Sequence, residues 1–286
     1  VTTFYVAGQD TLIGRALVRQ LQGRLTDRLP ADYVIVAGGK SGGIRANQKF
    51  PATLMLDNLQ QITNVIHTAH EHRVKKLLYL ASSCCYPKLC PQPMHVESLL
   101  TGPLEPTSEA YALAKLAGIK LCQAYRQESG DNFIAAIVAD AFGPGEVHDV
   151  EDLHVVPGLM LRMHEAKKAG KPFVEIWGSG NPRREFIFAD DVADACLFAL
   201  EHKDTPPLLN LGGGTDTSIR ELATMIREIV AYTGELRYDT SKPDGMPLKA
   251  LDSSVLLGMG WRARTPLKSA LEATYRSLIQ EAAHAR

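Results

Sequence analysis

At 286 residues, with 45% apolar and 22% charged residues and a net charge of −1, the chain has the composition of a soluble globular protein with room for a sizeable core. The balanced charge excludes a global field for nucleic acid or anionic membrane, and no apolar run approaches the ~20 residues a membrane span needs. Five cysteines without metal-ligand spacing point to reduced thiols in the cytoplasm, and an N-terminus lacking a charged leader and apolar core agrees with that placement.

Residues 2–7 predict a first strand, followed by the turn Gly8-Gln9-Asp10-Thr11-Leu12-Ile13-Gly14 and a helix over residues 15–22. Strand, glycine turn and helix N-terminus make an anion site, because unpaired N–H groups and the helix dipole face a pyrophosphate. Gly8, Ile13 and Gly14 are its candidate cofactor-binding residues. Thr11 stands where the middle glycine of the dinucleotide fingerprint belongs, and its Cβ restricts backbone approach. A short polar connection then leads straight to a strand over residues 33–37. The strand–helix–strand unit that completes the adenosine half of a doubly wound fold is missing, and with it the residue that reads the ribose. The first strand is therefore expected at an exposed sheet edge, with oligomerisation or another segment as cover.

The glycine-rich stretch 38–44 predicts a mobile loop suited to close backbone approach, and a helix follows over residues 51–71. Leu77-Leu78-Tyr79-Leu80-Ala81 is a buried strand. It delivers Ser82-Ser83-Cys84-Cys85 to its carboxyl end, where open α/β sheets bind ligands. Leu113, Leu116, Ala117, Leu121 and Ala124 recur at helical spacing, with Thr107 and Ser108 as N-cap candidates and Gly130 as the stop. On that helix Tyr111 and Lys115 share a face. A phenol beside an ammonium is expected to have its pKa drawn toward neutrality, and the Ser82 hydroxyl would orient a carbonyl toward it. Such a group gives a proton to an oxygen while hydride reaches its carbon.

Residues 133–138 form another buried strand, and an acidic loop over 145–153 leads to His154 at a helix entry (155–167). A strand over 174–177 precedes a glycine turn and Arg183-Arg184, whose forked donors suit a diphosphate. Asp190-Asp191 open a helix over 192–201, where carboxylates complement the dipole. A strand (208–211), an amphipathic helix (218–232), a loop (241–245) and a closing helix (267–283) complete the chain. The fold class is α/β: a Rossmann-like doubly wound parallel sheet with a shortened N-terminal nucleotide half. Residues 1–140 form the dinucleotide-binding domain, to which later strands return, and 141–286 mainly a smaller substrate lobe.

Several segments together resemble the extended short-chain dehydrogenase/reductase superfamily, and within it the GDP-L-fucose synthase family. They are Ser41-Gly42-Gly43-Ile44, Asp57-Asn58, Ser82 to Lys88, Leu100 to Thr107, Tyr111 to Lys115, His154, Trp177 to Gly180, Pro182-Arg183-Arg184-Glu185-Phe186 and Thr240 to Gly245. The resemblance implies an epimerase/reductase that converts GDP-4-keto-6-deoxy-D-mannose to GDP-L-fucose as a homodimer. Ser82, Tyr111 and Lys115 match the reductase triad, with Tyr111 and Lys115 also meeting the cofactor. Cys84 and His154 match the acid/base pair of epimerisation. Arg162, Trp177, Arg184 and Lys242 fall in segments placed near the GDP-sugar. The chemistry agrees: a C4 ketone acidifies C3–H and C5–H, and a thiol and an imidazole bracket neutral pH. Either of the two is acid or base. NADP is the implied cofactor, with NAD an alternative because Asp10 replaces a basic residue and would repel a 2′-phosphate. Asp140 and Phe142 stand where the family has Asn and Tyr, and Leu153 replaces a small polar residue. A related keto-sugar epimerase or reductase, and a non-catalytic sugar-nucleotide binder, are the alternative readings.

Overall fold

The computed structural model describes residues 2–146, 153–242 and 244–284. Most of the acidic loop expected over 145–153, and Pro243 of the loop over 241–245, lie outside the described residues. In chain order β1 (Phe4–Ala7), α1 (Leu12–Gln20), β2 (Tyr33–Val36), α2 (Ile44–Lys49), α3 (Pro51–Glu71), β3 (Lys76–Ser82), α4 (Glu109–Ser129) and β4 (Phe133–Val138) build the first half. The second runs through β5 (Asp140–Phe142), α5 (Val155–Lys168), β6 (Phe173–Trp177), β7 (Arg183–Arg184), β8 (Phe186–Phe188), α6 (Ala189–Glu201) and β9 (Leu208–Leu211). It closes with β10 (Thr217–Ser218), α7 (Ile219–Val230), β11 (Glu235–Asp239), β12 (Leu248–Lys249), α8 (Ser254–Gly258) and α9 (Leu267–His284).

The main sheet has the order β1-β2-β3-β4-β9, every pairing parallel. Its strands are nearly continuous apolar runs because helices cover both faces: α3 packs with α4, and α1 with α6. The ligand-binding side is thereby the carboxyl end of β2, β3 and β4. As expected, β1 lies at the edge. Its cover is one bridge: Phe4 N–H donates to Arg24 O and Thr26 N–H to Phe4 O, both at 2.9 Å, with Leu25 between them.

A second apolar cluster gathers Phe142, Met160, Met163, Phe186, Leu222, Ile226 and Leu271 between α5, α7 and α9. Beside it β11 pairs with β6, and β7 lies between β10 and β12. Of these small strands β6 is the one expected over 174–177, whereas β7, β10, β11 and β12 gave no sequence signal; β11 reads Glu-Leu-Arg-Tyr-Asp and is only partly buried. Two boundaries also move. Thr11 caps α1, its Oγ accepting from Gly14 N–H at 3.1 Å, so the helix starts at Leu12 and not at Arg15. Ile44, the last residue of the expected loop, opens α2, a helix without a sequence signal of its own.

Candidate active site

The carboxyl end of β3 is continued by a 3-10 turn, Ser83–Cys85, in which Cys84 N–H donates to Ser82 Oγ at 3.3 Å. The turn separates the adjacent thiols: Cys84 is half-buried, whereas Cys85 enters the core and burial pushes its thiol up to about 12. Helix α4 runs past the same point to its left-handed C-cap at Gly130 (φ 74°). It carries Lys115 Nζ to 5.8 Å from the Tyr111 ring centre, and that ammonium donates to Gly38 O at 3.1 Å. Ser82, Cys84, Tyr111 and Lys115 thus meet where the sequence placed them.

The expected lowering of the phenol pKa is overturned. Burial pushes Tyr111 up, the Cys84 and Cys85 thiols add to the rise, and only the Ser82 hydroxyl opposes it. The physical reason is direction: Lys115 is turned to the Gly38 carbonyl, so desolvation decides. Burial likewise draws the Lys115 ammonium down to about 8.

Lys249 lies opposite Arg184 in the β12–β7 pairing and donates to Asp140 Oδ1 at 3.1 Å. Burial works against the Lys249 charge, but Asp140 and then the Cys84 thiol outweigh it and hold the ammonium above its usual range. Cys84 therefore acts on both Tyr111 and Lys249. Arg184 donates to Met246 O at 2.6 Å and to Arg183 O at 2.8 Å. The paired-arginine reading is corrected: Arg183 is spent on Asp216 and, at 3.2 Å, on Glu221, which leaves Arg184 alone on this side. His154 is the exposed N-cap residue of α5 in the substrate lobe.

Trp177, at the end of β6, is 55% exposed. Its ring has Arg45 of α2 at 5.8 Å and Lys242 at 5.7 Å, a pair of cation–π approaches to one indole. The adjoining turn is held by Asp244, which accepts from Ser179 N–H at 2.8 Å and Ser179 Oγ–H at 2.7 Å. Arg162 spans α5 and β6, donating to Gly158 O and Glu175 O at 3.2 Å, and burial weakens its guanidinium. Arg45 and Lys242 thus set two cations against one exposed aromatic, an arrangement suited to an aromatic anion.

A nicotinamide cofactor meets two different halves. Near Lys115 the floor is made of backbone: a Cβ on Gly8 would come within 2.3 Å of Gly38 Cα, and one on Gly39 within 2.3 Å of Asn58 Oδ1 and 2.8 Å of Lys115 Nζ. Asn58 Oδ1 is buried and has no hydrogen-bond partner among the described residues. A glycine floor, an unused acceptor and an ammonium fit the nicotinamide ribose. The adenosine half does not fit, since on its outer edge β1 is bordered, among the described residues, by Leu25 alone and Thr11 already takes the Gly14 N–H at the start of α1. Ile13 lies in the first turn of α1, partly exposed beside that N-terminus.

Sequence reasoning missed Lys249 and Arg45. Lys249 sits in a two-residue strand without periodicity, and Arg45 in a helix disguised by flanking glycines. Only tertiary packing sets them against Cys84 and Trp177.

A family model described as "NAD dependent epimerase/dehydratase family" matches residues 20–212. GDP-L-fucose synthase 1 of Arabidopsis thaliana is 45% identical over 95% of this chain and 91% of that protein. GDP-L-fucose synthase of Escherichia coli (strain K12) is 39% identical over 96% of each. That alignment spans 308 positions against 286 residues here, so the relative carries residues this chain lacks. Among solved structures, MlghC, a GDP-mannoheptose C4 reductase from Campylobacter jejuni with NADP bound, superposes with a TM-score of 0.85. It is 30% identical, over 96% of this chain and 98% of that one. With a parallel sheet, a Tyr111–Lys115 helix beside Ser82 and relatives of this kind along nearly the whole chain, the protein belongs to the NAD dependent epimerase/dehydratase family, in the branch of the GDP-L-fucose synthases.

Proposed function

We propose that the chain is an NADP-dependent epimerase/reductase that converts GDP-4-keto-6-deoxy-D-mannose to GDP-L-fucose, with Ser82, Cys84, Tyr111, Lys115 and His154 as its catalytic residues. The observation that carries the reading is the Ser82–Cys84 turn at the carboxyl end of β3 meeting the helix that carries Tyr111 and, 5.8 Å from its ring centre, the Lys115 ammonium. One locus then offers proton exchange at carbons flanking a ketone and protonation of the ketone oxygen. Trp177 and Lys242 hold the guanosine end, and Arg162 and Arg184 its diphosphate. Cys84 and His154 remove and return the C3 and C5 protons, inverting both centres through an enolate stabilised by the C4 carbonyl. The enolate oxygen faces Ser82 and Tyr111. When bound, the reduced nicotinamide supplies hydride to C4. Tyr111 then gives its proton to the C4 oxygen, and Lys115 steadies the phenolate left behind.

The division into a dinucleotide domain (residues 1–140, with later strands returning to it) and a mainly C-terminal substrate lobe (141–286) is supported by two apolar clusters, the first of which also takes in α6, β9, Leu251 and Trp261. A homodimer is supported by Leu56 on α3 and Leu113 on α4, 55% and 42% exposed on helices that pack together. The test of the function is incubation with GDP-4-keto-6-deoxy-D-mannose and NADPH in D2O, followed by NMR. Deuterium at C3 and C5 with GDP-L-fucose as product is expected; no exchange and no reduction would sink the assignment. A second reading, reduction of a GDP-keto-heptose, is favoured by the likeness to the Campylobacter jejuni reductase, and reduction without exchange would select it.

A further inference from the structure

We infer that this chain grips a reduced nicotinamide dinucleotide through its nicotinamide mononucleotide half alone, so that NADPH and NADH bind with comparable affinity. The inference rests on the reductase reading above and concerns how that cofactor is held.

In a doubly wound sheet the adenosine lies over the carboxyl end of the strand beside the first one, and the residue following that strand reads the 2′ position. Here β1 is the edge strand. Residues 21–32 join α1 to β2, and among the described residues the part that returns to β1 bridges its backbone at Phe4 alone. Phe4 starts β1, so the contact is at the amino end, the far side of the sheet from the ligand. Among the described residues no strand stands beyond the carboxyl end of β1.

Among the described residues at this turn, no other side chain takes over the reading of a 2′-phosphate. Asp10 is exposed at the turn and carries the wrong sign. The cation beside it, Arg15, is bent back, its Nε donating to Asp10 O at 3.0 Å, and its head packs against Gly145. Thr11 closes the turn further, donating to Gly8 O at 2.8 Å and Ala37 O at 3.0 Å. The reactive half keeps its parts: the Gly8–Gly38–Gly39 floor, the unused Asn58 Oδ1 and the Lys115 ammonium. Removing one wall of a two-walled site removes the affinity and the discrimination that wall supplied, and leaves the other half intact.

The experiment is calorimetric titration of the 286-residue chain with NADPH, NADH and reduced nicotinamide mononucleotide, with GDP titrated separately. All three nicotinamides are expected to bind within ~10-fold of one another, since no group contacts the parts in which they differ. NADPH binding more than tenfold tighter than NADH would overturn the inference by demanding a 2′-phosphate reader. Mononucleotide binding more than tenfold weaker than NADPH would overturn it by demanding an adenosine contact. Failure of all three to bind overturns it as well. In that case GDP binding with C3/C5 exchange would preserve the epimerase part of the proposed function, while absent GDP binding would remove both.

Discussion

The guanidinium of Arg45 stands 5.8 Å from the ring centre of Trp177, joining α2 of the nucleotide half to the end of β6 in the substrate lobe. Neither residue's neighbourhood is visible in its own segment. Because the chain has two tryptophans and Trp261 is buried at 3% exposure, Trp177 is the fluorescence reporter of this cleft. GDP should quench it, and Trp177→Ala should abolish the response. An exposed cation–π contact is worth ~0.5–1 kcal/mol, so Arg45→Ala should weaken GDP about two- to fivefold and raise KM more than it lowers kcat. Unchanged quenching and KM would deny the contact a role.

Cys84 and Tyr111 share one pocket yet serve separate steps. Cys84→Ser should stop deuterium exchange at C3 and C5 while leaving reduction of a pre-epimerised substrate. Tyr111→Phe should do the reverse, reducing turnover by ~10²–10⁴ with exchange retained. NMR of the products in D2O separates the two, and parallel loss of both activities in either variant contradicts the division.

Lys115 sets an alkaline limit. Burial brings its ammonium down to about 8, so the charged form that supports Tyr111 is present below that pH and lost above it. Reduction should fall about tenfold per pH unit beyond this point, whereas exchange should fall less steeply. A rate profile of both between pH 6 and 10 reads the difference. A flat reduction rate to pH 10 would show that the charge is not used.

Asp32 fastens the edge strand. It accepts from Thr3 N–H at 2.8 Å, from Thr3 Oγ–H at 3.0 Å and from Lys75 at 2.7 Å. Its hydrogen bond from Lys75, then those from Thr3, hold its carboxyl at about 2 against an ordinary 3.8. A lowered carboxylate contributes stability above its unfolded value, and that contribution is lost as pH falls through the folded value. Asp32→Asn should therefore lower Tm at pH 7, with the gap to the wild type closing between pH 4 and 2. Parallel Tm curves for the two would sink the assignment.

Gly118 is where α4 presses on its neighbours: a Cβ there would lie 2.6 Å from Tyr79 Cζ and 2.7 Å from Ile62 Cγ2. Gly118→Ala should cost ~1–3 kcal/mol by overpacking, despite the better helix propensity of alanine. Denaturant unfolding measures it, and a stabilised variant would show that α3 yields freely.

Helices α3 and α4, strands β3, β4 and β9, the exposed β1 edge and the Ser82, Cys84, Tyr111, Lys115 constellation were legible in the residues themselves. Their signals are local: apolar periodicity, glycine stops and fixed spacing survive in one dimension. What the residues could not disclose was which way each charge turns. Lys115 faces the Gly38 carbonyl and lets burial raise the phenol, Arg183 is lost to Asp216, and Lys249 arrives beside Cys84 from a two-residue strand. Desolvation and ion pairing depend on distances between segments far apart in the chain, and only the folded arrangement sets those distances.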